Sequence, residues 1–460
     1  MRALDTKIIA AVIIIVIVAL GAFFLLTKRG PEATPTPSPT ATSPSPTPSP
    51  SPTTPVSPTP APKEFEGTIV IGAPLSLSGK YSTEGLQSLI GAKAVVEWIN
   101  DNGGVVVAGK RYKVELKYYD DESSPERVTS LVERLVTVDG IKFLLAPYSS
   151  GLTFKAAPVA DKLGAIMVSH GGASDHIFEQ GYHYVVQVLT PATRYFHSIL
   201  DMIKEIDPAA KRIAIIYKEH EFSRTVAEGA KEYAEKLGFE VVFFKSYPKD
   251  VTDMTPILQE LAATNPDIIL GGGHFQDGQL LAKQLAELNI NAKLIAILVA
   301  PALPKFYEAL GQLAEGIAYP AQWEVGVKYG PENTPPGFEW YGPTQDEFLD
   351  YYSRVAKELG HPDMKPSYHA AEAGASVLFI VKAIEKAGSF DPDAVRKAMN
   401  DLKLYTFFGE LQIDPETGLQ IEHDMVVGQW QGGKKVIIWP RGAATAEPLY
   451  PIPKWEEKKS

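Results

Sequence analysis

The body of the chain, from residue 65 onward, is predicted to be an α/β protein with mainly parallel sheets in two lobes. Short β-branched runs alternate with amphipathic stretches of helical period, as in Thr68–Ile71 before Gln87–Ile99 and Arg212–Tyr217 before Thr225–Leu237. This alternation is typical of parallel sheets with helices on both faces. Residues 65–460 are too many for one compact core, which indicates two lobes.

The remaining elements of the body are predicted by the same reasoning. Further strands are expected at Val114–Tyr119, Phe143–Ala146, Val241–Lys245, Ile268–Leu270 and Leu294–Leu298. Further helices are expected at Arg127–Val136 and Gly278–Leu288. Glycines close several helices, because glycine readily adopts the left-handed cap conformation. After Pro343 the order changes to three helices and three closing strands, at Asp346–Leu359, Tyr368–Ala387, Pro392–Met399, Leu411–Ile413, Met425–Trp430 and Lys435–Trp439.

Residues 1–30 are predicted to form an N-terminal membrane anchor or signal segment. The unbroken apolar run Ile8–Leu26 would span roughly 28 Å as a helix, about the thickness of a bilayer core. A cleaved signal peptide is the competing interpretation, with Ala19-Leu20-Gly21 as a poor cleavage site. Because Phe23–Leu26 keeps the segment apolar beyond that site, we expect an uncleaved transmembrane signal anchor.

Residues 31–64 are predicted to be a disordered tether rich in Pro, Ser and Thr. Dense proline forbids helix and favours an extended polyproline II chain, and the segment has no apolar surface to bury. The chain contains no cysteine, which excludes disulfides and thioether lipidation. Because an anchor is followed by a tether, we expect the protein at the cell membrane, with its body outside the cytoplasm.

The charge and the motifs argue against nucleic-acid binding and against an enzyme. The net charge is −11, and binding to a phosphate backbone requires a basic surface. The sequence has no G-x-S-x-G elbow, and Gly271–His274 lacks the Lys-Ser/Thr of a phosphate loop. His170 and His176 are six residues apart, which matches no common helical ligand pair. We therefore expect no catalytic residue, no metal and no cofactor.

Ordered motifs spread along the body indicate a known family. They are IGAPLSLSGKYSTEG (Ile71–Gly85), WINDNGG (Trp98–Gly104), YYDDESSPERV (Tyr118–Val128), LAPYSSG (Leu145–Gly151), VSHGGASDHIF (Val168–Phe178), AQWEVG (Ala321–Gly326), SYHAAEAG (Ser367–Gly374), AIEKAGSFDPDAVRKAM (Ala383–Met399) and LYTFFGELQID (Leu404–Asp414). In this order the motifs resemble the extracytoplasmic solute-binding proteins of ABC importers, in the branched-chain amino acid (Leu/Ile/Val-binding) family.

The resemblance implies the type I periplasmic binding protein fold, or Venus flytrap, with a ligand cleft between two lobes. It also implies three crossovers, near residues 190, 322 and 408. Lobe 1 would then comprise residues 65–190 and 323–408, and lobe 2 residues 191–322 and 409–455.

The resemblance implies a protein that captures a solute and carries out no covalent chemistry on it. A small organic solute (an amino acid, amide or carboxylate) would bind in the cleft and be delivered to the membrane subunits of an ABC permease. The alternative is a ligand-sensing receptor ectodomain. Because the sequence has no second apolar span, such a receptor would act through a partner protein.

Two turns are the predicted carboxylate site. Ligands of open α/β sheets bind beyond the carboxyl ends of the strands, where free N–H groups of helix N-termini attract anions. Ser149 and Ser150 lie between a predicted strand and a predicted helix, and Gly172, Ala173 and Ser174 follow the next strand. The competing interpretations are a serine that only caps the helix and a plain glycine turn.

Aromatic residues near strand ends are the predicted walls of the cleft. Tyr81 lies in the first loop, Phe222, His274 and Phe275 follow strands of the second lobe, and Trp323 lies at an expected crossover. A surface position for Tyr81 and a hinge position for Trp323 are the competing interpretations.

Two departures from the family pattern bear on the ligand. Amino-acid binders hold the ammonium with an acid on the segment that here reads Ile295–Leu303, which contains none. Near the first crossover, this chain has Val186-Gln187 where members of the family often have an aromatic residue followed by Arg. Unless Asp277 or Glu324 reaches the cleft, the ligand is expected to lack a free amine, because burying an unpaired ammonium is strongly unfavourable.

Overall fold

The computed structural model describes residues 64–458. The predicted anchor Ile8–Leu26 and nearly all of the tether lie outside these residues. Within the described part of the chain, no helix is long and apolar enough to cross a membrane.

The first sheet has six strands within residues 64–458, in the order β2-β3-β1-β4-β5-β6. All neighbours are parallel except β2 and β3. Its strands and the helices that follow them are β1 (Gly67–Leu75), α1 (Ser82–Asp101), β2 (Val105–Val107), β3 (Lys110–Asp120), α2 (Pro125–Thr137), β4 (Phe143–Leu145), α3 (Ser150–Lys162), β5 (Ile166–Ser169) and β6 (Val185–Gln187).

The second sheet has seven strands in the described chain, in the order β16-β15-β11-β10-β9-β7-β8. Its first segment contains α4 (His197–Ile206), β7 (Arg212–Lys218), α5 (Glu221–Lys236), β8 (Glu240–Tyr247), α6 (Thr255–Ala263), β9 (Ile268–Gly272), α7 (Phe275–Glu287), β10 (Leu294–Ile297), α8 (Lys305–Leu310) and β11 (Ala318–Ala321). Apolar strand residues such as Ile215, Leu270 and Ile295 are buried, as expected for a parallel sheet covered on both faces.

The chain then packs against the first lobe, where three short strands form a separate sheet, before it closes on the second sheet. This segment contains β12 (Glu339–Trp340), α9 (Gln345–Glu358), α10 (Tyr368–Ala387), α11 (Pro392–Asn400), β13 (Leu404–Thr406), β14 (Gly409–Leu411), β15 (Val426–Gln431), β16 (Lys434–Trp439) and α12 (Trp455–Lys458). The α/β class and the three helices after Pro343 are confirmed.

Helix α10 is the most deeply buried of these helices, and it packs closely against α1. A Cβ atom on Gly91 of α1 would lie 2.0 Å from the carbonyl oxygen of Ala370, so glycine is required at this crossing. Every residue from Tyr368 to Val381 is buried. The packing carries the N-terminal turns of α10 to the centre of the molecule.

We propose that the third crossing between the sheets comes later than residue 408, and two hydrogen bonds support this position. The Gln187 N–H donates to the Gly418 carbonyl at 2.9 Å, and Gln420 Nε2 donates to the Val188 carbonyl at 3.0 Å. Both bonds hold this segment beside the first sheet. We therefore propose lobe 1 boundaries that run to about Gln420, with the return to the second sheet at β15.

Candidate ligand-binding site

A narrow cavity lies between the carboxyl ends of the two sheets, with about 250 Å³ of space that no atom occupies, part of it open to solvent. The turns after β4, β5, β7, β9 and β10 all reach it, which is where ligands bind in open α/β sheets. We call it the interlobe cavity. Its lining residues are Tyr148, Ser149, Gly171, Leu189, Tyr195, Phe222, His274, Val299, Tyr368 and Glu372.

Hydrogen bonds between the lobes close the cavity. Ser174 Oγ donates to Glu221 Oε1 at 2.8 Å and lies 3.0 Å from Thr225 Oγ1. His176 Nδ1 lies 2.9 Å from the same Glu221 oxygen, and this hydrogen bond raises the pKa of His176. Tyr81 contributes another contact, with its hydroxyl 3.4 Å from His220 Nε2. The structure therefore has the closed arrangement of the lobes.

The two serines of the predicted carboxylate turn have different surroundings. Ser150 Oγ accepts hydrogen bonds from the N–H groups of Ala173 and Ser174, each at 3.0 Å. Ser149 precedes the first turn of α3 and is 2 % exposed, and its Oγ has no hydrogen bond of good geometry among residues 64–458, although the Tyr81 hydroxyl lies near enough to interact with it. Ser149 is therefore the hydroxyl available to a ligand, whereas Ser150 joins the two turns.

The glycine turn after β5 packs against the serine turn, but Gly172 and Ala173 do not line the cavity. A Cβ atom on Gly172 would lie 2.4 Å from Thr153 Oγ1, so close packing explains this glycine. Gly171 is the residue of the turn that reaches the cavity. A Cβ atom there would lie 2.9 Å from the Tyr148 Cα atom.

Aromatic rings form most of the cavity wall. The predicted residues Phe222 and His274 line it, with ring centroids 5.6 Å apart. Tyr195 packs edge-on against Phe222 at 5.2 Å, and Tyr148 packs against His274 at 5.9 Å. Tyr148, Tyr195 and Tyr368 were not predicted. Tyr148 stands directly before the predicted serine turn, which is a signal that the sequence reading could have used.

Three predicted aromatic residues lie outside the cavity wall. Trp323 is fully buried in the hinge, where Nε1 donates to the Phe407 carbonyl at 3.0 Å and the ring packs edge-on against Phe348. The prediction that Trp323 walls the cleft is replaced by the hinge interpretation. Phe275 is half-buried in the first turn of α7. Tyr81 packs against Tyr148, with the two ring centroids 5.5 Å apart, and does not line the cavity itself.

Neither acid named as a substitute ammonium clamp is free. Asp277 accepts from Lys218 Nζ at 2.8 Å and from the Tyr247 hydroxyl at 2.6 Å. Glu324 accepts from the Tyr319 hydroxyl at 2.8 Å and pairs with Lys435 at 2.8 Å. Each carboxylate is paired with a lysine and with a tyrosine hydroxyl of the chain itself.

The acid of the cavity is Glu372, which the sequence reading missed. It lies on α10, is 1 % exposed, and its Oε2 has no hydrogen-bond partner in the described chain. Burial raises the pKa of Glu372 well above its ordinary value, because desolvation disfavours the charged form. A single acid within the apolar stretch HAAEAGASV was the available signal.

Two histidines near the cavity are held neutral. Burial lowers the pKa of His274 well below its usual value, and both of its ring nitrogens lack a hydrogen-bond partner within residues 64–458. Burial also lowers the pKa of His220 to about 4. The site therefore offers neutral rings, one free hydroxyl and one unpaired carboxyl group.

Comparison with known proteins identifies the family. The sequence matches the periplasmic binding protein family over residues 68–435, and the chain belongs to this family. A Leu/Ile/Val-binding protein homolog 7 of Brucella abortus is 25% identical over 392 residues, covering 82% of this chain and 93% of the relative. The predicted family resemblance is thus confirmed.

Solved structures show the same fold. The branched-chain amino acid transporter substrate-binding protein LivJ of Streptococcus pneumoniae, in complex with isoleucine, has a TM-score of 0.67 at 20% identity, covering 81% of this chain and 100% of its own. A solute-binding protein of an ABC transporter from R. palustris, in complex with 4-hydroxybenzoate, has a TM-score of 0.67 at 22% identity, covering 85% and 100%. The predicted type I periplasmic binding protein fold is confirmed.

Proposed function

We propose that this protein is a membrane-tethered, extracytoplasmic solute-binding protein that delivers a small organic solute to the membrane subunits of an ABC permease. The solute is an amino acid, an amide or a carboxylate. The observation that carries the proposal is the interlobe cavity itself. It lies at the carboxyl ends of both sheets, and both lobes contribute side chains to it.

Capture in such a cavity needs no covalent step. A solute that contacts both walls favours the closed arrangement, because those contacts exist together only when the lobes meet. The hydrogen bonds that join Ser174 and His176 to Glu221 also stabilise the closed arrangement of the lobes. The permease then distinguishes loaded from empty protein by the relative position of the lobes.

The tether and anchor keep the body near the permease. Residues 8–26 remain in the mature chain, and residues 31–64 form a spacer between the bilayer and the body. N-terminal sequencing of the native protein tests this part of the proposal. A mature chain that begins at Ala22 or later would contradict it.

A thermal-shift screen tests the capture of a solute. The full-length protein in detergent is screened against amino acids, amides and aromatic acids. A ligand at 100 times its Kd stabilises the native state by about 2.7 kcal/mol, so a specific solute raises Tm clearly. Leu189→Trp, which fills the interlobe cavity, should remove the shift, while Leu189→Met should keep it. Failure of every compound to raise Tm would contradict the proposal.

A further inference from the structure

The carboxyl group of Glu372 has no structural task in the fold. It lies within α10 rather than at a cap, and its Oε2 has no partner among the described residues. The two acids considered above as ammonium clamps, Asp277 and Glu324, both have basic and hydroxyl partners. Burying a carboxyl group without a partner is unfavourable, so its presence calls for a partner from outside the chain.

The surroundings of Glu372 favour a cation. Tyr148, Tyr195 and Tyr368 line the same cavity, and aromatic faces attract positive charge. No Lys or Arg is among the residues that line this cavity in the described chain. A positively charged group is therefore the ligand chemistry that would satisfy the carboxyl group without competition from the protein.

Resting on the function proposed above, we propose that the solute carries a protonated amine that pairs with Glu372, and that Glu372 releases a proton when the solute binds. The O–H bond of the neutral carboxyl group breaks, the proton passes to solvent, and the carboxylate accepts an N–H of the ammonium group. No electron is transferred. The assignment reverses the sequence-based expectation of an amine-free ligand, because that expectation assumed a cavity without an acid.

The residues that line the cavity around Glu372 do not titrate near neutral pH, whereas burial raises the pKa of Glu84, whose charge acts on Tyr148 and Tyr368, to about 7. Burial raises the pKa of Tyr148, Tyr195 and Tyr368, and it lowers that of His274. Glu372 is then the lining group whose protonation changes on binding, and proton release that persists in Glu372→Gln would assign the proton to Glu84 instead. Affinity for an amine should therefore rise with pH until the free carboxyl group of Glu372 ionises.

Matched ligand sets test the ligand class. One set shares the isobutyl skeleton (leucine, 4-methylpentanoate and 3-methylbutylamine), and another the benzyl skeleton (phenylalanine, 3-phenylpropanoate and 2-phenylethylamine). Calorimetry on the full-length protein in two buffers of different ionisation enthalpy gives affinity and proton count. We expect an amine-bearing member to bind at least tenfold tighter than its amine-free partner, with about one proton released per ligand.

The outcomes separate this inference from the proposed function. Tighter binding of the amine-free acids would overturn the inference and leave solute capture standing. Binding of amines without proton release would overturn the role of Glu372. If no member of either set binds, the inference fails, whereas the proposed function is decided by the broader thermal-shift screen.

An isosteric variant tests the residue. Glu372→Gln keeps the shape of the side chain but cannot ionise. It should weaken binding of the amine-bearing probes about 10- to 100-fold and abolish proton release, while amine-free probes keep their affinity. Glu410→Gln is the matched control, because Glu410 is also partly buried with a raised pKa but lies outside the cavity wall. Equal effects of the two variants would overturn the assignment.

Discussion

The interlobe cavity has a first wall around Ser149 and Glu372 and a second wall around Phe222 and His274, with Asp277 on the helix that His274 caps. Although His274 also has ring nitrogens without a partner within residues 64–458, the two walls differ in how their buried carboxyl groups are paired. On the first wall, Ser149 Oγ and Glu372 Oε2 have no partner within residues 64–458. On the second wall, Asp277 is bonded to Lys218 and Tyr247. The carboxylate of the second wall therefore stabilises its own lobe, while the carboxyl group of the first wall is left for a ligand at a cost in stability. Mutations should therefore have opposite effects on the two walls.

The largest expected effect is on the second wall. Asp277→Ala leaves Lys218 buried without its carboxylate, since the two side chains are only 4% and 10% exposed. Breaking a buried ion pair from one side costs about 3–5 kcal/mol in the free energy of unfolding. Urea unfolding of the full-length protein without ligand measures this loss. A variant within about 1 kcal/mol of wild type would show that the second wall does not depend on the pair.

The opposite sign is expected on the first wall. Glu372→Met removes an unpaired buried carboxyl group and keeps a similar volume, so it should raise the free energy of unfolding by about 1–3 kcal/mol. The same urea experiment without ligand is the measurement. Destabilisation comparable to that of Asp277→Ala would mean that Glu372 has a structural role and that the walls do not differ.

A third prediction concerns the pH dependence of closure. Burial lowers the pKa of His220 to about 4 in the closed form, and opening should return it towards 6.5. The contribution of His220 to closure is therefore complete above pH 6.5 and is lost as the pH falls towards 4. Affinity should fall roughly tenfold from pH 7.5 to pH 5.5 through this group.

The variant His220→Gln isolates that contribution. His176 acts in the opposite direction, because its bond to Glu221 raises its pKa and favours closure when it is protonated. Glu372 adds a further pH dependence in both proteins, because we propose that it releases a proton when the solute binds. The ratio of affinities at pH 7.5 and 5.5 should be about tenfold smaller in His220→Gln than in wild type. An unchanged ratio would show that closure does not bury His220.

The smallest effects separate the two neighbouring serines. Ser150→Ala leaves two buried N–H groups without their acceptor and should lower the free energy of unfolding by about 1–3 kcal/mol. Ser149→Ala removes an unpartnered hydroxyl and should change stability by less than about 0.5 kcal/mol while weakening ligand binding about fivefold. Thermal unfolding and calorimetry on both variants check the pair. Equal stability losses would contradict the distinction.

The fold was largely predictable because alternation of strands and helices is a local property of the sequence. Ser149, Phe222 and His274 were found by the rule that ligands bind beyond strand ends. Glu372 and Tyr368 were missed because they reach the cavity on a helix, through the close packing of α10 at Gly91. That approach is a tertiary contact, and one sequence cannot reveal it. Trp323 lies at the crossover segment that the sequence predicted. Its side chain points into the hinge rather than the cavity, because its Nε1 donates a hydrogen bond to the Phe407 carbonyl.

Hydrogen–deuterium exchange with and without the best ligand from the thermal-shift screen tests the central claim, that a solute is held in the interlobe cavity. The full-length protein is compared in both states at neutral pH. We predict the strongest ligand-induced protection at residues 148–153 and 368–374 of the first wall, with weaker protection at 220–225 and 274–278 as the lobes close. Protection confined to other surfaces, or absent from both walls, would contradict the account.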